Sequence, residues 1–360
     1  MYLRYAIFSS ILLMSLWGSA LASSKGESKS WELQQLTNKV KQGDFKQITS
    51  ILVNHQGSLV YEQYFNKGHI DYMNDLRSAT KSINSLAVGI AKEKGHIDSV
   101  SQTMVSFFEN ERQWKNPSSI KNKITIEDLL TMSSLLECND ENQFSRGHEE
   151  RMYIFNDWVQ FVLDIPIKGF VPWEPKPEQS RYGRSFAYCT AGSFMLGAIV
   201  ERATGKGMDD FLEEYLHKPM GITKVKWNYS PHGVASGAGG TRYRSRDFIK
   251  FGELLIKGGQ WEGQKIVSNS WIEQSTKPRA IPREGYEYGY QWWRMKHHID
   301  GQEEWSIAAM GNGGNYLVIL PQRELVILIT SEAYNTRYGH SQSREIINDY
   351  VLKALPSIKR

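Results

Sequence analysis

The chain has 360 residues and a mass of 41.3 kDa, with 40% hydrophobic and 23% charged residues, an ordinary globular balance that excludes disordered, collagenous and coiled-coil classes. Lysine plus arginine number 43 against 39 acids, a formal net charge of +4 with no run of five like charges, so the composition lends nothing to nucleic-acid binding. Two cysteines are too few for a disulfide scaffold or a cysteine-based zinc site and allow at most one bridge.

Met1 to Arg4 carry one positive charge, Ala6 to Trp17 are apolar, and Ala20-Leu21-Ala22 has the small-residue pattern of a cleavage site. Together they predict a secretory signal peptide cleaved after Ala22. An apolar stretch of about 12 residues is shorter than the roughly 20 that span a bilayer, and no cysteine follows for lipid attachment, so no stable membrane anchor is expected. The mature protein is expected to be periplasmic or secreted, in an oxidising compartment.

Next comes a helix from about Ser30 to Gln42, with Leu33, Leu36 and Val40 on one stripe and Gly43 ending it. Residues 23–43 thus read as a helical extension, and 44–360 as one domain. Ile48 to Val53 and Ser58 to Phe65 are β-rich runs joined through Gly57, a hairpin. From Thr80 to Lys94, Ile83, Leu86, Ala87, Ile90 and Ala91 fall on one helical face, and Gly95 closes it. Thr125-Ile126-Glu127-Asp128 has capping-box spacing and starts a helix through Leu130. Ala191 to Ala203 is another helix, ended at Gly205. Tyr316 to Leu320 and Leu325 to Thr330 read as strands joined by Pro321 to Glu324, and Ser343 to Leu355 as the last helix. Strands at both ends with helices between predict an α+β fold: an antiparallel sheet built from N- and C-terminal segments, flanked by helices, with a helical region over about 80–232. Pro166 to Gly183, with four prolines, is a long irregular stretch of the kind that serves as a binding loop or a surface crossover.

No G-x-S-x-G elbow and no H-E-x-x-H helix occurs. What does occur is Ser78-Ala79-Thr80-Lys81, its serine immediately before the amphipathic helix. A serine and a lysine three apart on a helical turn are neighbours, so the amine can reach the hydroxyl. The helix N-terminus adds free N–H groups and a partial positive charge that favour an oxyanion and disfavour a protonated lysine. To act as a base near neutrality, Lys81 needs its pKa brought down from about 10.4, at a cost of about 4 kcal/mol that burial can supply. The bland alternative is an N-cap serine with a solvent-facing lysine. Ser118-Ser119-Ile120-Lys121 repeats the tetrapeptide in a polar stretch with no helix behind it, and reads as a solvated loop.

Tyr188-Cys189-Thr190 stands just before the Ala191 helix, and Met310-Gly311-Asn312-Gly313-Gly314-Asn315 precedes the strand from Tyr316. With Ser78 and Lys81 these resemble, in order and spacing, the three motifs of the serine β-lactamase and penicillin-binding-protein superfamily, in its class C-like branch with esterases, D-aminopeptidases and 6-aminohexanoate-dimer hydrolases. The resemblance covers about Asp44 to Thr330. It implies the β-lactamase/transpeptidase-like fold and an acyl-enzyme on Ser78, with Lys81 and Tyr188 sharing its proton and no cofactor or metal. Which of the two is formally the base stays open, because their titrations are coupled.

Two departures stand out. The family's second motif usually ends in asparagine where this chain has Thr190, and its third usually begins with Lys or His where Ala309-Met310-Gly311 carries no charge, so the usual anchor for a substrate carboxylate is missing. Gly311 and Gly313 still allow close backbone approach, and the backbone N–H of Asn312 is assigned beside that of Ser78 to the oxyanion. Cys138 falls in a region that in this family lies beside the active site, and is expected to pair with Cys189. His297-His298 reads as a solvated hairpin tip rather than a metal site. Trp173 and Trp292-Trp293 are candidates to line the substrate.

The resulting expectation is an exported serine hydrolase of small esters, amides or short peptides, ω-amino-acid oligomers included. The alternatives are a D-peptidase or weak class C-like β-lactamase, and a penicillin-fold binding or sensor protein that has lost turnover.

Overall fold

The computed structural model describes residues 31–299 and 301–355, so the predicted signal peptide lies outside the described residues. Helix α1 spans residues 31–42 and buries Leu36 and Val40, and Gly43 stops it with φ +88°. Strands β1 (Ile48–His55) and β2 (Ser58–Tyr64) form the predicted hairpin around Gln56 and Gly57, both at positive φ. The short strands β3 (Asn74–Asp75), β4 (Val225–Lys226) and β5 (Arg242–Tyr243) make a small separate sheet, and β6 (Gln260–Trp261) pairs with β7 (Gln264–Lys265). The C-terminal half supplies β8 (Ala280–Arg283), β9 (Tyr286–Tyr288), β10 (Trp293–Ile299), β11 (Gln302–Gly311), β12 (Asn315–Leu320) and β13 (Leu325–Ser331).

The main sheet has eight strands in the order β2-β1-β13-β12-β11-β10-β9-β8, every neighbouring pair antiparallel. The N-terminal hairpin joins the C-terminal meander through β1 and β13, with Val53 opposite Ile327. Both strands are buried almost throughout, the condition for a continuous apolar run in a strand covered on two faces.

Between the two strand-forming segments lie α2 (Lys81–Glu93), α3 (Ile126–Leu130), α4 (Glu149–Tyr153), α5 (Trp158–Asp164), α6 (Thr190–Thr204) and α7 (Met208–Leu212). Helix α8 (Ser245–Ile256) covers the sheet; at Gly252 a Cβ would stand 2.4 Å from Val326, so only glycine permits that closeness. Thr125 forms the predicted capping box on α3, accepting from Asp128 N–H (3.1 Å) while Asp128 accepts from Thr125 N–H (2.9 Å). Gln291, wholly buried, ties three helices together: its carbonyl accepts from Ser82, its Oε1 from Ser193, and its Nε2 donates to the carbonyls of Leu129 and Leu130.

Two expectations are corrected here. Lys121 is not solvated; it is fully buried and its Nζ donates to the carbonyls of Lys115 (3.0 Å) and Leu163 (2.9 Å), capping the end of α5. His297 is not at a hairpin tip. It lies inside β10, buried between Asn348 Oδ1 and Ser306 Oγ at 2.8 Å each, while only its neighbour His298 is exposed. The alternation of a strand explains the split.

Candidate active site

Ser78 sits in a single 3-10 turn, Arg77–Thr80, that runs into α2. Arg77 holds φ +50°, a left-handed conformation costing about 1 kcal/mol for a non-glycine residue, and its N–H donates to Asp75 Oδ1 (3.1 Å). That twist ends the β3 segment and leaves Ser78 partly exposed at the head of α2. One turn on, Lys81 is 1% exposed, and its Nζ donates to Ser78 Oγ at 2.9 Å and to the carbonyl of Ala238. Burial brings the Lys81 amine down to about 8, against the smaller opposing pull of the Glu149 and Asp140 carboxylates.

The Ala238 carbonyl was not singled out in the sequence. It belongs to Ser236-Gly237-Ala238-Gly239-Gly240-Thr241, which threads along α2 because its glycines allow it: a Cβ on Gly237 would stand 2.3 Å from Asn84 Oδ1. Gly239 lies against the Arg77 to Ser78 peptide. The small-residue run was a visible signal, but without a partner motif it reads as a turn.

Tyr188 arrives from the start of α6. Its phenol is close enough to the Ser78 hydroxyl for that group to favour its anion, and Lys81 Nζ lies 5.2 Å from its ring centroid. Burial pushes the phenol well above its ordinary pKa, the nearby Ser78 hydroxyl offsets part of that, and Asp140, Glu149 and Glu141 add to the rise. The backbone on both sides of Tyr188 is pinned: Ala187 N–H donates to the Met132 carbonyl, and the Tyr188 carbonyl accepts from Asp140 N–H, both at 2.8 Å. The Cys138–Cys189 disulfide closes the same junction.

Asp140 was likewise missed. Its carboxylate accepts from Thr190 N–H (2.6 Å) at the N-terminus of α6 and from Glu149 N–H (2.9 Å) at that of α4, two positions where helix ends favour an anion. Thr190 is 2% exposed, and its hydroxyl is buried without a hydrogen-bond partner among the described residues. Nothing in the sequence marks an acid in a loop as a bridge between two helix ends.

The third segment closes against the turn that carries Ser78. Gly311 ends β11 where a Cβ would stand 2.1 Å from the Leu76 carbonyl and 3.1 Å from Ala79 N, so this strand end must be glycine. Asn312 is exposed, and its side chain pairs reciprocally with Asn335, donating to its Oδ1 (2.6 Å) and accepting from its N–H (2.9 Å). Gly313 (φ +87°) backs onto the Tyr334 ring.

Of the aromatic candidates, Trp293 reaches the site, stacking on Tyr188 with ring centroids 5.8 Å apart. Trp292 is fully buried core, and Trp173 is 83% exposed on the proline-rich stretch, which stays irregular and is anchored by Arg184 to Glu127 and Asp128. Among the described residues no cluster of three histidine, cysteine or acidic side chains could hold a metal ion, and no helix is long and apolar enough to cross a membrane.

The family model described as Beta-lactamase matches residues 38–349. A 6-aminohexanoate-dimer hydrolase of Paenarthrobacter ureafaciens is 27% identical over 327 residues, 84% of this chain and 78% of that one. Among solved structures, a family VIII carboxylesterase superposes with a TM-score of 0.68 at 13% identity, over 92% of this chain and 98% of the other. A class C β-lactamase from Rhodobacter sphaeroides does so at 0.60 and 14%, over 88% and 97%. At these identities the structural matches speak for the fold.

Proposed function

The chain belongs to the beta-lactamase family of hydrolases, and on that premise we propose that it is an exported serine hydrolase that cleaves a small ester or amide through an acyl-enzyme on Ser78. The observation that carries this reading is the hydrogen bond between Ser78 Oγ and the amine of a buried lysine, with the Tyr188 ring beside that amine.

In the reaction the neutral Lys81 amine takes the Ser78 proton as Oγ bonds to the substrate carbonyl carbon. The oxyanion is held by the backbone N–H groups of Ser78 and Asn312, the first of them, at the start of a helical turn, with no hydrogen bond among the described residues. Tyr188, whose phenol keeps its proton, donates it to the departing oxygen or nitrogen as the carbonyl bond to that atom breaks, and is reprotonated from Lys81. Water then attacks the Ser78 ester, losing its proton to the same pair, and the acid product and free serine result. Burial leaves Lys81 the group more readily found without its proton and Tyr188 the group that keeps one to give, although the protons come off a coupled pair.

The relative named for 6-aminohexanoate dimer and the carboxylesterase-like fold support small amides and esters as the substrate class, short peptides and ω-amino-acid oligomers included. Uncharged Ala309 and Met310 before Gly311 speak against β-lactam carboxylate recognition of the usual kind. The Cys138–Cys189 disulfide supports a periplasmic or secreted location.

The test is intact-mass analysis after a fluorophosphonate, with p-nitrophenyl ester turnover measured alongside. One adduct, mapped to Ser78 and absent in Ser78→Ala, is expected; unlabelled protein without turnover would leave a binding or sensor role.

A further inference from the structure

Two guanidinium groups flank one carboxylate, Asp75, and one of them belongs to the residue before Ser78. Arg77 directly precedes Ser78, and its Nε lies 3.6 Å from Asp75 Oδ1. Arg242, opposite Asp75 in the β3–β5 pair, has Nη2 at 3.8 Å from Asp75 Oδ2. Both separations exceed hydrogen-bond length, and among the described residues neither guanidinium donates a hydrogen bond. Arg184, Arg244, Arg246 and Arg323, by contrast, each donate to a carboxylate, at 2.5, 2.6, 2.7 and 2.8 Å.

The neighbourhood does not supply the missing anion. Glu332, the other carboxylate nearby, is already held by Lys67 (2.7 Å) and by the Tyr72 hydroxyl (2.6 Å). Arg77 is instead oriented by stacking, its guanidinium carbon 4.2 Å from the centroid of Tyr334, whose hydroxyl donates to the Asp75 carbonyl (2.8 Å). A stacked guanidinium keeps its N–H edge free for a planar anion. Tyr334 in turn packs on Gly313, so this cation is built onto the loop carrying Asn312. The side chains of Arg77 and Arg242 are 44% and 51% exposed.

We propose that Arg77 and Arg242 bind a carboxylate of the substrate and make the enzyme selective for anionic esters or amides. The proposal rests on the acyl-enzyme reading and deepens it. The charge absent from the Ala309-Met310-Gly311 strand would then come from Arg77, which directly precedes Ser78 and stacks on Tyr334, and from Arg242 across Asp75.

The test compares matched p-nitrophenyl and alkyl esters ending in a free carboxylate or its methyl ester, in one series with that group on the acyl part and in another on the alcohol. In one series the wild type should favour the carboxylate by roughly tenfold or more in kcat/KM, through KM, and lose part of that preference as salt is raised. R77Q and R242Q should each cut the preference to about threefold or less, and R77K should restore part of it. Arg242 lies outside the nucleophile turn, so R242Q answers even if R77Q fails to fold. A wild type without the preference, or a preference intact in R242Q and in folded R77Q, overturns the proposal. Fluorophosphonate labelling of the wild type separates the two levels: an inert Ser78 means that the acyl-enzyme reading has failed and takes this proposal with it, whereas a labelled Ser78 with equal rates on both esters refutes the arginine site alone.

Discussion

Ser78-Ala79-Thr80-Lys81 and Ser118-Ser119-Ile120-Lys121 have the same spacing, and both lysines are buried. What differs is the partner each amine finds. Lys81 Nζ meets one carbonyl and the hydroxyl of its own serine, whereas Lys121 Nζ meets two carbonyls and Ser118 Oγ accepts from the Lys121 backbone N–H (3.0 Å). Burial lowers both amines. On the proposed mechanism, a buried lysine becomes a base only when it faces a proton donor with somewhere to send the proton, and Tyr188 would supply that at the first site alone. At the second, the same side chain is a helix cap.

Substitution of the two serines should separate the sites most widely. Ser78→Ala should lower ester turnover by roughly a thousandfold or more, since it removes the nucleophile of a unit that acts together. Ser118→Ala should retain wild-type kcat/KM. Equal losses in the two variants would break the comparison. Removing the Cys138–Cys189 bridge comes next. It closes a loop across 51 positions, and its loss should cost about 4 kcal/mol of stability by the chain-entropy estimate, read as a lower denaturant midpoint on reduction. Because Tyr188 adjoins Cys189, kcat should fall in the reduced protein under conditions where it remains folded.

The lysines themselves should respond with opposite sign. The folded-state pKa of Lys81, about 8, lies below its ordinary 10.5, so the unfolded chain holds the proton more tightly and stability rises with pH between these values. Lys81→Met should accordingly stabilise the protein at neutral pH, by up to roughly 3 kcal/mol, with the gain fading above pH 8 and gone above about 10.5, while abolishing turnover. Lys121→Met leaves two buried carbonyls without a donor and should destabilise by about 1–2 kcal/mol with kcat unchanged. Urea titrations across pH check both.

Much of the fold was legible because its signals are local. β-rich apolar runs bounded by turn residues, Gly57 in one case and Pro321 to Glu324 in the other, marked β1, β2, β12 and β13, and the 3.6-residue period with Gly95 and Gly205 as stops marked α2 and α6. The strands β8 to β11 carry polar and aromatic residues with weaker alternation and were not anticipated. The Ser78, Lys81 and Tyr188 convergence was legible only through the order of three motifs, since nothing in a single segment says that a tyrosine more than a hundred positions away returns to a serine. Ala238, Asp140 and Gln291 were illegible for a different reason. They act through a backbone carbonyl, a doubled helix cap and a buried amide, roles fixed by tertiary neighbours. Lys121 and His297 were misread for the same reason, because polarity predicts exposure until the structure supplies a partner.

Asp140 offers the finest test of what distinguishes the two lysines. The carboxylates acting on the Lys81 amine are Glu149 and Asp140, and both favour its protonated form. With Asp140→Asn the amine should lose its proton more readily, so the acid limb of the kcat/KM profile, expected near pH 8, should move to lower pH by roughly half a unit to one unit. Asparagine can still accept from Thr190 N–H but turns its NH₂ toward Glu149 N–H, so a modest drop in stability should accompany the shift. Glu149→Gln should move the limb in the same direction without touching the α6 cap. If the limb stays in place in both variants, the neighbouring carboxylates do not set the base, and burial beside Ala238 accounts for Lys81 by itself.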